Sequence, residues 1–462
     1  MKKRFTAITL CATMAFSMLT GCGNNARVLP DEPEPISDTI ISDTDVNNNT
    51  NPKQIIDDNK TQKISADDSV VSALNDNEFD FIVNTDYEFN DDYSLQNITE
   101  ILDYVDRENN DPIGNTILSE TSLNMALSLL LEGANDDTES YNALIQYLSS
   151  ANYPNTLLGI RARNNALISR YMFSDDTTPL SIANSAWFNY GTTPTDYYRT
   201  ILSQYYYGRT QSLDFTDPAS ADIINSWCEG ATDGKIPFII TPETLAMNDG
   251  VLINSIYFLS NWETEFTENN CRDAIFTNAD GSTSNVTMMY EYGLDAYYES
   301  NWCEAFMKPY ANSNMVFVGI LPKADTDFSV SELDLDDMLS NAVYGYDVNI
   351  GIPQFRIEDE NHIFNALYNN GLAPAFRAGN NDYTNCLCDT PVSVSDVIQK
   401  TFIDVNPTGT EAAAVTAITL EKSAMPVRNT EVHEIILDRP FVFMIYDTET
   451  HECLFIGKIN NL

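Results

Sequence analysis

The sequence has few of the side chains on which most enzymatic and metal chemistry depends. It contains three histidines, His362, His433 and His451, among 462 residues. None lies at metal-ligand spacing with the Cys386-Leu387-Cys388 pair. The Gly-x-Ser-x-Gly element of serine hydrolases and the His-Glu-x-x-His zinc helix are both missing. We therefore expect no metal, no cofactor and no catalysis by the chain itself, and a surface hydrolase or a transporter-linked binding lipoprotein has no motif in its favour.

Basic residues are also scarce. The chain has 24 Lys and Arg against 68 Asp and Glu, which gives a formal net charge of −44. Such a balance repels phosphate backbones and anionic membrane surfaces, so nucleic acid is not an expected partner. The acidity instead fits a secreted protein that stays soluble through its charge.

The cysteines lack the dense, regular spacing of a disulfide framework, so we expect them to be thiols. Beyond Cys11 and Cys22 they are Cys228, Cys271, Cys303, Cys386, Cys388 and Cys453. After the N-terminus there is also no run of the roughly eighteen apolar residues that suggest a membrane span. With 43% apolar residues, one large domain with appendages is the expected organisation.

The N-terminus has the pattern of a targeting segment. Lys2-Lys3-Arg4 is followed by an apolar stretch from Phe5 to Leu19 and then by Thr20-Gly21-Cys22. A basic start, an apolar stretch too short for a stable span and small residues before a cysteine resemble a bacterial lipoprotein signal over 1–22. Cys22 is the expected lipidation site, which predicts an extracellular, surface-anchored protein. The alternative is an ordinary secretory signal or a membrane anchor.

The next segment predicts a tether rather than a folded unit. Residues 23–76 are rich in Asp, Asn, Thr, Ser and Pro and poor in aromatic residues. Such a composition buries too little apolar surface to offset the entropy lost on ordering. We therefore expect an acidic, disordered tether over 23–76 and a folded domain over 77–462.

Hydrophobic periodicity in that domain predicts an α+β fold. Apolar residues recur three and four apart in 95–105 and in 122–131, which indicates two early helices. The runs 252–259, 315–321 and 441–446 consist of β-forming residues bounded by polar residues or proline, which indicates strands buried on both faces. Helices early and strands late favour α+β.

Several strings in these elements resemble serpins, and they keep one order over roughly residues 93–462. The strings are Asn225-Ser226-Trp227, Thr232-Asp233-Gly234-Lys235-Ile236, Leu252-Ile253-Asn254-Ser255-Ile256-Tyr257-Phe258, Trp262, Phe266, Met288-Met289-Tyr290, Ile352-Pro353-Gln354-Phe355-Arg356-Ile357-Glu358, Leu367, Gly371-Leu372, Ala375-Phe376, Asp438-Arg439-Pro440-Phe441-Val442-Phe443 and Leu454-Phe455-Ile456-Gly457-Lys458. The resemblance implies the serpin fold of three β-sheets, eight to nine helices and an exposed reactive-centre loop. It also implies that an attacking peptidase cleaves the loop, which then inserts into the large sheet and carries the trapped enzyme with it.

The loop hinge implied by the resemblance begins at Gly409 and continues through Thr410, Glu411, Ala412, Ala413 and Ala414. A strand that enters a sheet must present small or apolar residues to the interior at every second position. With Thr410 as the first inward residue, the inward set is small or apolar as far as Leu420. Glu411 and Glu421 then point outward. This alternation favours insertion, whereas the alternative is a helix-prone or flexible surface segment.

The resemblance also implies a polar cluster beneath the opening sheet and a tryptophan near its top. Ser119, Ser122 and Asn254 match that cluster, and Trp262 matches the tryptophan. Two residues depart from the family pattern. Pro407 stands where most members have a glutamate, and Gln399 where many have a histidine, so the cluster cannot titrate through that position.

The family spacing, roughly fourteen residues from Gly409, places the scissile bond at Ser423-Ala424. The loop is longer than in many relatives, so bonds from Lys422 to Asn429 stay open. A small residue there suits an elastase-like or subtilisin-like peptidase, whereas Lys422 or Arg428 suits a trypsin-like one. The expected partner is such a serine, or a papain-like cysteine, endopeptidase acting on a monomer. A non-inhibitory serpin that serves as a surface binding protein is the alternative.

Overall fold

The structure, a computed structural model, describes most of the chain from Ile82 onward: residues 82–84, 87–89, 94–108, 114–150, 153–173, 180–232, 234–294, 296–311, 313–323, 329–342, 347–377, 381–384, 386–394, 396–410 and 432–462. Some predicted features lie outside these residues. They are the signal with Cys22, the tether, the hinge residues Glu411, Ala412, Ala413 and Ala414, and the bond Ser423-Ala424.

Helices dominate the first part of the described chain. They are α1 Gln96–Glu108, α2 Glu120–Glu132, α3 Glu139–Ser150, α4 Leu157–Phe173, α5 Asp196–Tyr206, α6 Ala219–Ala231, α7 Pro242–Ala246, α8 Leu335–Asn341 and α9 Phe364–Leu367. Short 3₁₀ turns occur at Glu268–Asn270, Val330–Glu332 and Asn381–Tyr383, and a π-type turn at Tyr368–Leu372. The helices predicted over 95–105 and 122–131 are confirmed as α1 and α2. None of the described helices is long and apolar enough to cross a membrane.

Strands dominate the remainder. They are β1 Thr116–Leu118, β2 Leu180–Asn189, β3 Arg209–Leu213, β4 Gly250–Phe258, β5 Ser260–Asn261, β6 Cys271–Thr277, β7 Thr283–Leu294, β8 Tyr297–Glu299, β9 Cys303–Pro309, β10 Met315–Pro322, β11 Asp347–Pro353, β12 Phe355–His362, β13 Ile398–Asn406, β14 Gly409–Thr410, β15 Val432–Ile436, β16 Phe441–Asp447 and β17 Glu452–Ile459. The three predicted strands are confirmed as β4, β10 and β16. Burial on both faces holds for β16, whose residues are all buried, but it is wrong for β4, which is partly exposed at Val251 and Leu252.

Two of the sheets are self-contained. One has six strands in the order β1-β17-β16-β10-β9-β8, and its central strands β10 and β16 are buried almost throughout, as is typical of strands covered on both faces. The other has four strands in the order β15-β11-β7-β6, with β15 parallel to β11.

The remaining strands form a third layer, here called the large sheet. Strands β3-β2-β4 form one hydrogen-bonded set and β12-β13-β14-β5 another. Only Leu259 separates β4 from β5, so the two sets join along this segment. The order across the layer is therefore β3, β2, β4 with β5, β14, β13 and β12. Counted this way, the described strands make the three sheets that the serpin resemblance implied.

Helix α2 supports the large sheet from below. Ser119 is its N-cap, and the Ser119 side chain accepts a hydrogen bond from the Ser122 amide. Nearly every residue of α2 is buried, and the helix contacts both β4 and β17. A helix buried on most sides carries apolar residues around much of its surface, which fits the Leu-rich second half of α2.

Candidate functional site

The predicted hinge begins in a tight hairpin between β13 and β14, here called the hinge hairpin (residues 405–410). Val405 pairs with Thr410 and Asn406 with Gly409, so Pro407 and Thr408 form the turn. The Asn406 Oδ1 atom accepts from the Thr408 amide at 3.1 Å and from its hydroxyl at 2.8 Å. Asn, Pro and Gly at the first, second and fourth positions are typical of a β-turn. Pro407 therefore occupies a position where the sheet needs no amide donor.

Strand β14 is paired on both sides. Gly409 pairs with Asn406 on β13 and with Asn261 on β5, while Thr410 pairs with Val405 and with Ser260. Both pairings are antiparallel, so these two residues already form the start of a central strand. A Cβ atom at Gly409 would lie 2.0 Å from the Ser260 carbonyl oxygen. Only glycine permits this close approach of the two backbones.

The side chain of Thr410 points into the interior and is 2% exposed. Its hydroxyl lies 2.5 Å from the Tyr310 hydroxyl. The Tyr310 ring stacks on Trp262, with 4.6 Å between centroids and 13° between planes. Burial raises the pKa of Tyr310 well above its usual value, so the phenol stays protonated. Tyr310 could not be predicted as part of the site, because a tyrosine beyond the end of a strand has no characteristic sequence pattern.

Three successive carbonyls of the hairpin turn are held by donors from one loop. The indole Nε1 of Trp262 donates to the Asn406 carbonyl at 2.9 Å. The Phe266 amide donates to the Pro407 carbonyl at 2.9 Å, and the Trp262 amide donates to the Thr408 carbonyl at 3.0 Å. We call this arrangement the carbonyl clamp. It gives Trp262, predicted only as a family match, a defined contact with the hinge.

Below the hinge, the strands on either side of β14 are not joined. Among the described residues, β4 pairs with β2, whereas β13 pairs with β12 and β14. No described residue of β4 pairs with β13. A strand that enters between β4 and β13 can therefore be antiparallel to both and pair with the edge of each.

The N-terminus of α2 contacts both of these strands through the predicted polar cluster. Gln399 on β13 accepts from the Ser119 amide at 2.8 Å and donates to its carbonyl at 2.9 Å. On the other side, the Ser122 hydroxyl donates to the Asn254 carbonyl of β4 at 3.4 Å. The Oδ1 atom of Asn184, a residue that the sequence did not single out, accepts from the side-chain Nδ2 of Asn254 at 2.8 Å. The structure thus brings Ser119, Ser122, Asn254 and Gln399 together.

One atom of the cluster has no hydrogen-bond partner in the part of the chain that the structure describes. The side-chain oxygen of Asn254 is buried and accepts no hydrogen bond from the residues that the structure describes. A buried acceptor without a donor costs free energy, so this atom favours any arrangement that supplies one.

The cysteines and histidines form no second site in the described part of the chain. None of the six described cysteines forms a disulfide with another described residue, and no group of three or more His, Cys, Asp and Glu in these residues can hold a metal ion. Burial raises the pKa of the Cys303, Cys388 and Cys453 thiols, which makes these three less reactive.

Comparisons with known proteins agree on one family. Residues 101–462 match the family model described as Serpin (serine protease inhibitor). An uncharacterized serpin-like protein of Methanosarcina mazei is 28% identical over 355 residues, which cover 75% of this chain and 81% of that protein. The leukocyte elastase inhibitor of Equus caballus is 29% identical over 370 residues, 76% of this chain and 94% of that protein. The native-state crystal structure of the thermophilic serpin tengpin aligns with a TM-score of 0.68 and 26% identity, over 82% of this chain and 97% of tengpin.

Proposed function

Because the chain belongs to the serpin family, whose members are generally protease inhibitors rather than enzymes, we propose that it is a suicide inhibitor of serine endopeptidases. Papain-like cysteine endopeptidases are a further class to test. The observation that carries the proposal is β14, which is already paired between β13 and β5, while no described residue of β4 pairs with β13 below it. Insertion then needs only the extension of an existing strand.

The chemistry belongs to the target. Its serine attacks the carbonyl carbon of Ser423, the Ser423–Ala424 amide bond breaks, and the amine of Ala424 leaves with the proton delivered by the target's histidine. An ester then joins Ser423 to the enzyme. Water would complete the hydrolysis, so the inhibitor acts only if loop insertion removes the enzyme from its productive geometry before water attacks. Because Gly409 and Thr410 are already paired, insertion of the loop has fewer residues to pair and should be faster relative to hydrolysis of the ester.

The observed register supports a specific path for the loop. Extended along both neighbouring strands, it sets Ala412 opposite Phe258 and Ile403, and Thr416 between Asn254 and Gln399. Thr416 has the same inward parity as Thr410. Its hydroxyl is thus the donor that we assign to the unpartnered Asn254 oxygen. This match favours insertion as far as the polar cluster.

The small-residue bond Ser423-Ala424 favours an elastase-like or subtilisin-like target. A relative named as a leukocyte elastase inhibitor, at 29% identity, supports this choice. A trypsin-like target is the alternative, because such peptidases cleave after Lys or Arg and the loop contains Lys422 and Arg428. Sequencing the peptide that each peptidase releases identifies the bond, and cleavage only after Lys422 or Arg428 would replace the assignment.

A non-inhibitory serpin that binds a partner at the surface is the second candidate, resting on the departures at Pro407 and Gln399. Incubation with elastase, subtilisin, trypsin and papain distinguishes the two. We expect a covalent adduct that survives denaturing gel electrophoresis with at least one serine peptidase. The matched control is Ala414→Arg, which places a charge on the inward face and should convert the protein into a cleaved substrate. Cleavage of the wild type without any adduct would favour the second candidate.

We also propose that the inhibitor is a surface lipoprotein, on the strength of the Thr20-Gly21-Cys22 pattern. The Cys22→Ala variant should lose lipid labelling and leave the membrane fraction, whereas Cys11→Ala should not. Equal membrane association of both variants with the wild type would contradict lipidation at Cys22.

A further inference from the structure

A buried lysine, Lys308, lies behind the carbonyl clamp. Lys308 on β9 is 1% exposed. Its ammonium donates to the Thr264 carbonyl at 2.8 Å and forms an ion pair with Glu291 on β7. A charge this deeply buried is tolerated only with such partners. Desolvation lowers the pKa of Lys308, while Glu291 opposes that shift.

The lysine also contacts both residues that supply the clamp's donors. Its Nζ atom lies 5.2 Å from the ring centroid of Trp262 and 4.6 Å from that of Phe266. Thr264, whose carbonyl it binds, lies between them in the chain. The ammonium thus fills the inside of loop 262–266, and the outside of the same loop holds the hinge carbonyls. Cation–π and charge-assisted contacts gain strength in a desolvated site of this kind.

We propose that Lys308 is a positioning residue, which through Glu291 fixes the 262–266 loop and so keeps the hinge hairpin closed. The hydrogen bond, ion pair and ring contacts of Lys308 in the described residues go to Thr264, Glu291, Trp262 and Phe266, none of which belongs to the hinge hairpin. Its action passes through the three hydrogen bonds that Trp262 and Phe266 donate to residues 406–408. Because Glu291 belongs to β7, the proposal also couples the β15-β11-β7-β6 sheet to the point where the loop enters the large sheet. Its consequence for inhibition, faster loop entry when the pair is lost, rests on the proposed function.

Hydrogen–deuterium exchange of the intact protein tests this without any peptidase. In Lys308→Met, amides of residues 404–410 should exchange about tenfold faster, the size expected when one charge-assisted contact is lost. Peptides of 441–459, in the six-stranded sheet, should be unchanged. The control Lys323→Met removes an ion pair with Glu299 in which the Lys323 side chain is 36% exposed. The amides of this variant should exchange at the wild-type rates.

A double variant separates positioning from general stabilisation. Lys308→Met alone leaves the Glu291 carboxylate without its cation, whereas Lys308→Met with Glu291→Met removes both charges and should recover global stability. The hinge amides should still exchange fast, because the 262–266 loop has lost its contacts with the Lys308 ammonium. Recovery of hinge protection together with stability, or equal acceleration in all peptides, would overturn the proposal. If Lys308→Met does not fold, the double variant and Glu291→Gln give the same comparison. Failure to trap any peptidase would contradict the proposed function, but it would not change the exchange rates that test the role of Lys308.

Discussion

Gln399 binds both main-chain polar groups of Ser119, accepting from the amide at 2.8 Å and donating to the carbonyl at 2.9 Å. The two residues are 7% and 2% exposed, respectively. Ser119 is also the N-cap of α2. A single side chain on β13 therefore ties the large sheet to the helix beneath it, and it does so with an amide that carries no charge at any physiological pH.

Replacing this amide should cost stability. Gln399→Ala leaves the buried Ser119 amide without its acceptor, while the Ser119 carbonyl keeps the Leu123 amide as a donor at 3.1 Å. The free energy of unfolding should therefore fall by about 1–3 kcal/mol. Urea denaturation measures the change. Gln354→Ala removes an exposed glutamine from the chain and should stay within about 0.5 kcal/mol of the wild type. Equal effects of the two variants would refute the role of the Gln399–Ser119 contact.

Gly409→Ala should block the start of insertion. The added Cβ meets the Ser260 carbonyl oxygen at 2.0 Å, so β14 cannot keep its pairing with β5. We expect a folded protein that is cleaved as a substrate with little adduct, measured as the ratio of adduct to cleaved chain on denaturing gels. Gly250→Ala is the control, since its Cβ has no neighbour closer than 3.4 Å. Normal trapping by Gly409→Ala would show that the close approach is not needed.

The Thr410–Tyr310 contact should give a measurable coupling free energy in a double-mutant cycle. In a cycle of Thr410→Val, Tyr310→Phe and the double variant, the coupling should be about 1 kcal/mol, as for a buried neutral hydrogen bond. Unfolding of the intact protein in urea gives the four free energies. Strict additivity of the two single changes would mean that the hydroxyls, although 2.5 Å apart, do not stabilise the hinge.

Asp359 should give the protein a distinct dependence on pH. This carboxylate on β12 accepts from the Ile117 amide and from Asn361, both at 2.7 Å, yet burial raises its pKa above the usual value. The folded state therefore binds the proton more tightly than the unfolded state. Its contribution to stability is complete below about pH 4, the ordinary Asp range, and is lost as pH rises through the raised pKa.

The Asp359→Asn variant isolates that contribution. The difference in unfolding free energy, wild type minus variant, should fall as pH rises from about 3 towards 7. Urea titrations at fixed ionic strength measure it, with Asp404→Asn on the outer side of β13 as a control. A difference that rises with pH would mean that the hydrogen bonds to Asp359 outweigh its desolvation.

Much of the fold could be predicted from the sequence, because its elements depend on local periodicity. Helices α1 and α2 and strands β10 and β16 appear where apolar spacing indicates them. The partial exposure of β4 could not be predicted, since an apolar run does not report which neighbours cover it. In the described residues that strand pairs on one long edge with β2, and its other edge adjoins β14 only through β5.

The residues of the site that match a family pattern could be predicted from the sequence. The residues that belong to the site only through long-range contacts could not. Ser119, Ser122, Asn254, Trp262 and Gln399 came from the resemblance, and the structure places each of them against the hinge or beneath the strands beside it. Tyr310, Asn184 and Lys308 were missed, because their partners are about 100, 70 and 44 positions away in sequence. Pro407, which looked unfavourable in the sequence, lies in a turn that suits proline.

The central claim is that the loop after Gly409 becomes a strand between β4 and β13, and thermal unfolding tests it most directly. The intact protein and the same protein cleaved once within 411–431 are compared at one pH and concentration, with each chain's integrity checked by mass. Insertion adds paired backbone on both sides and buries the inward face of the loop, which should add several kcal/mol. Because 1 kcal/mol corresponds to about 1–2 °C in a chain of this size, the cleaved form should unfold at a temperature at least about 5 °C higher. An unchanged or lower unfolding temperature after cleavage would contradict the account.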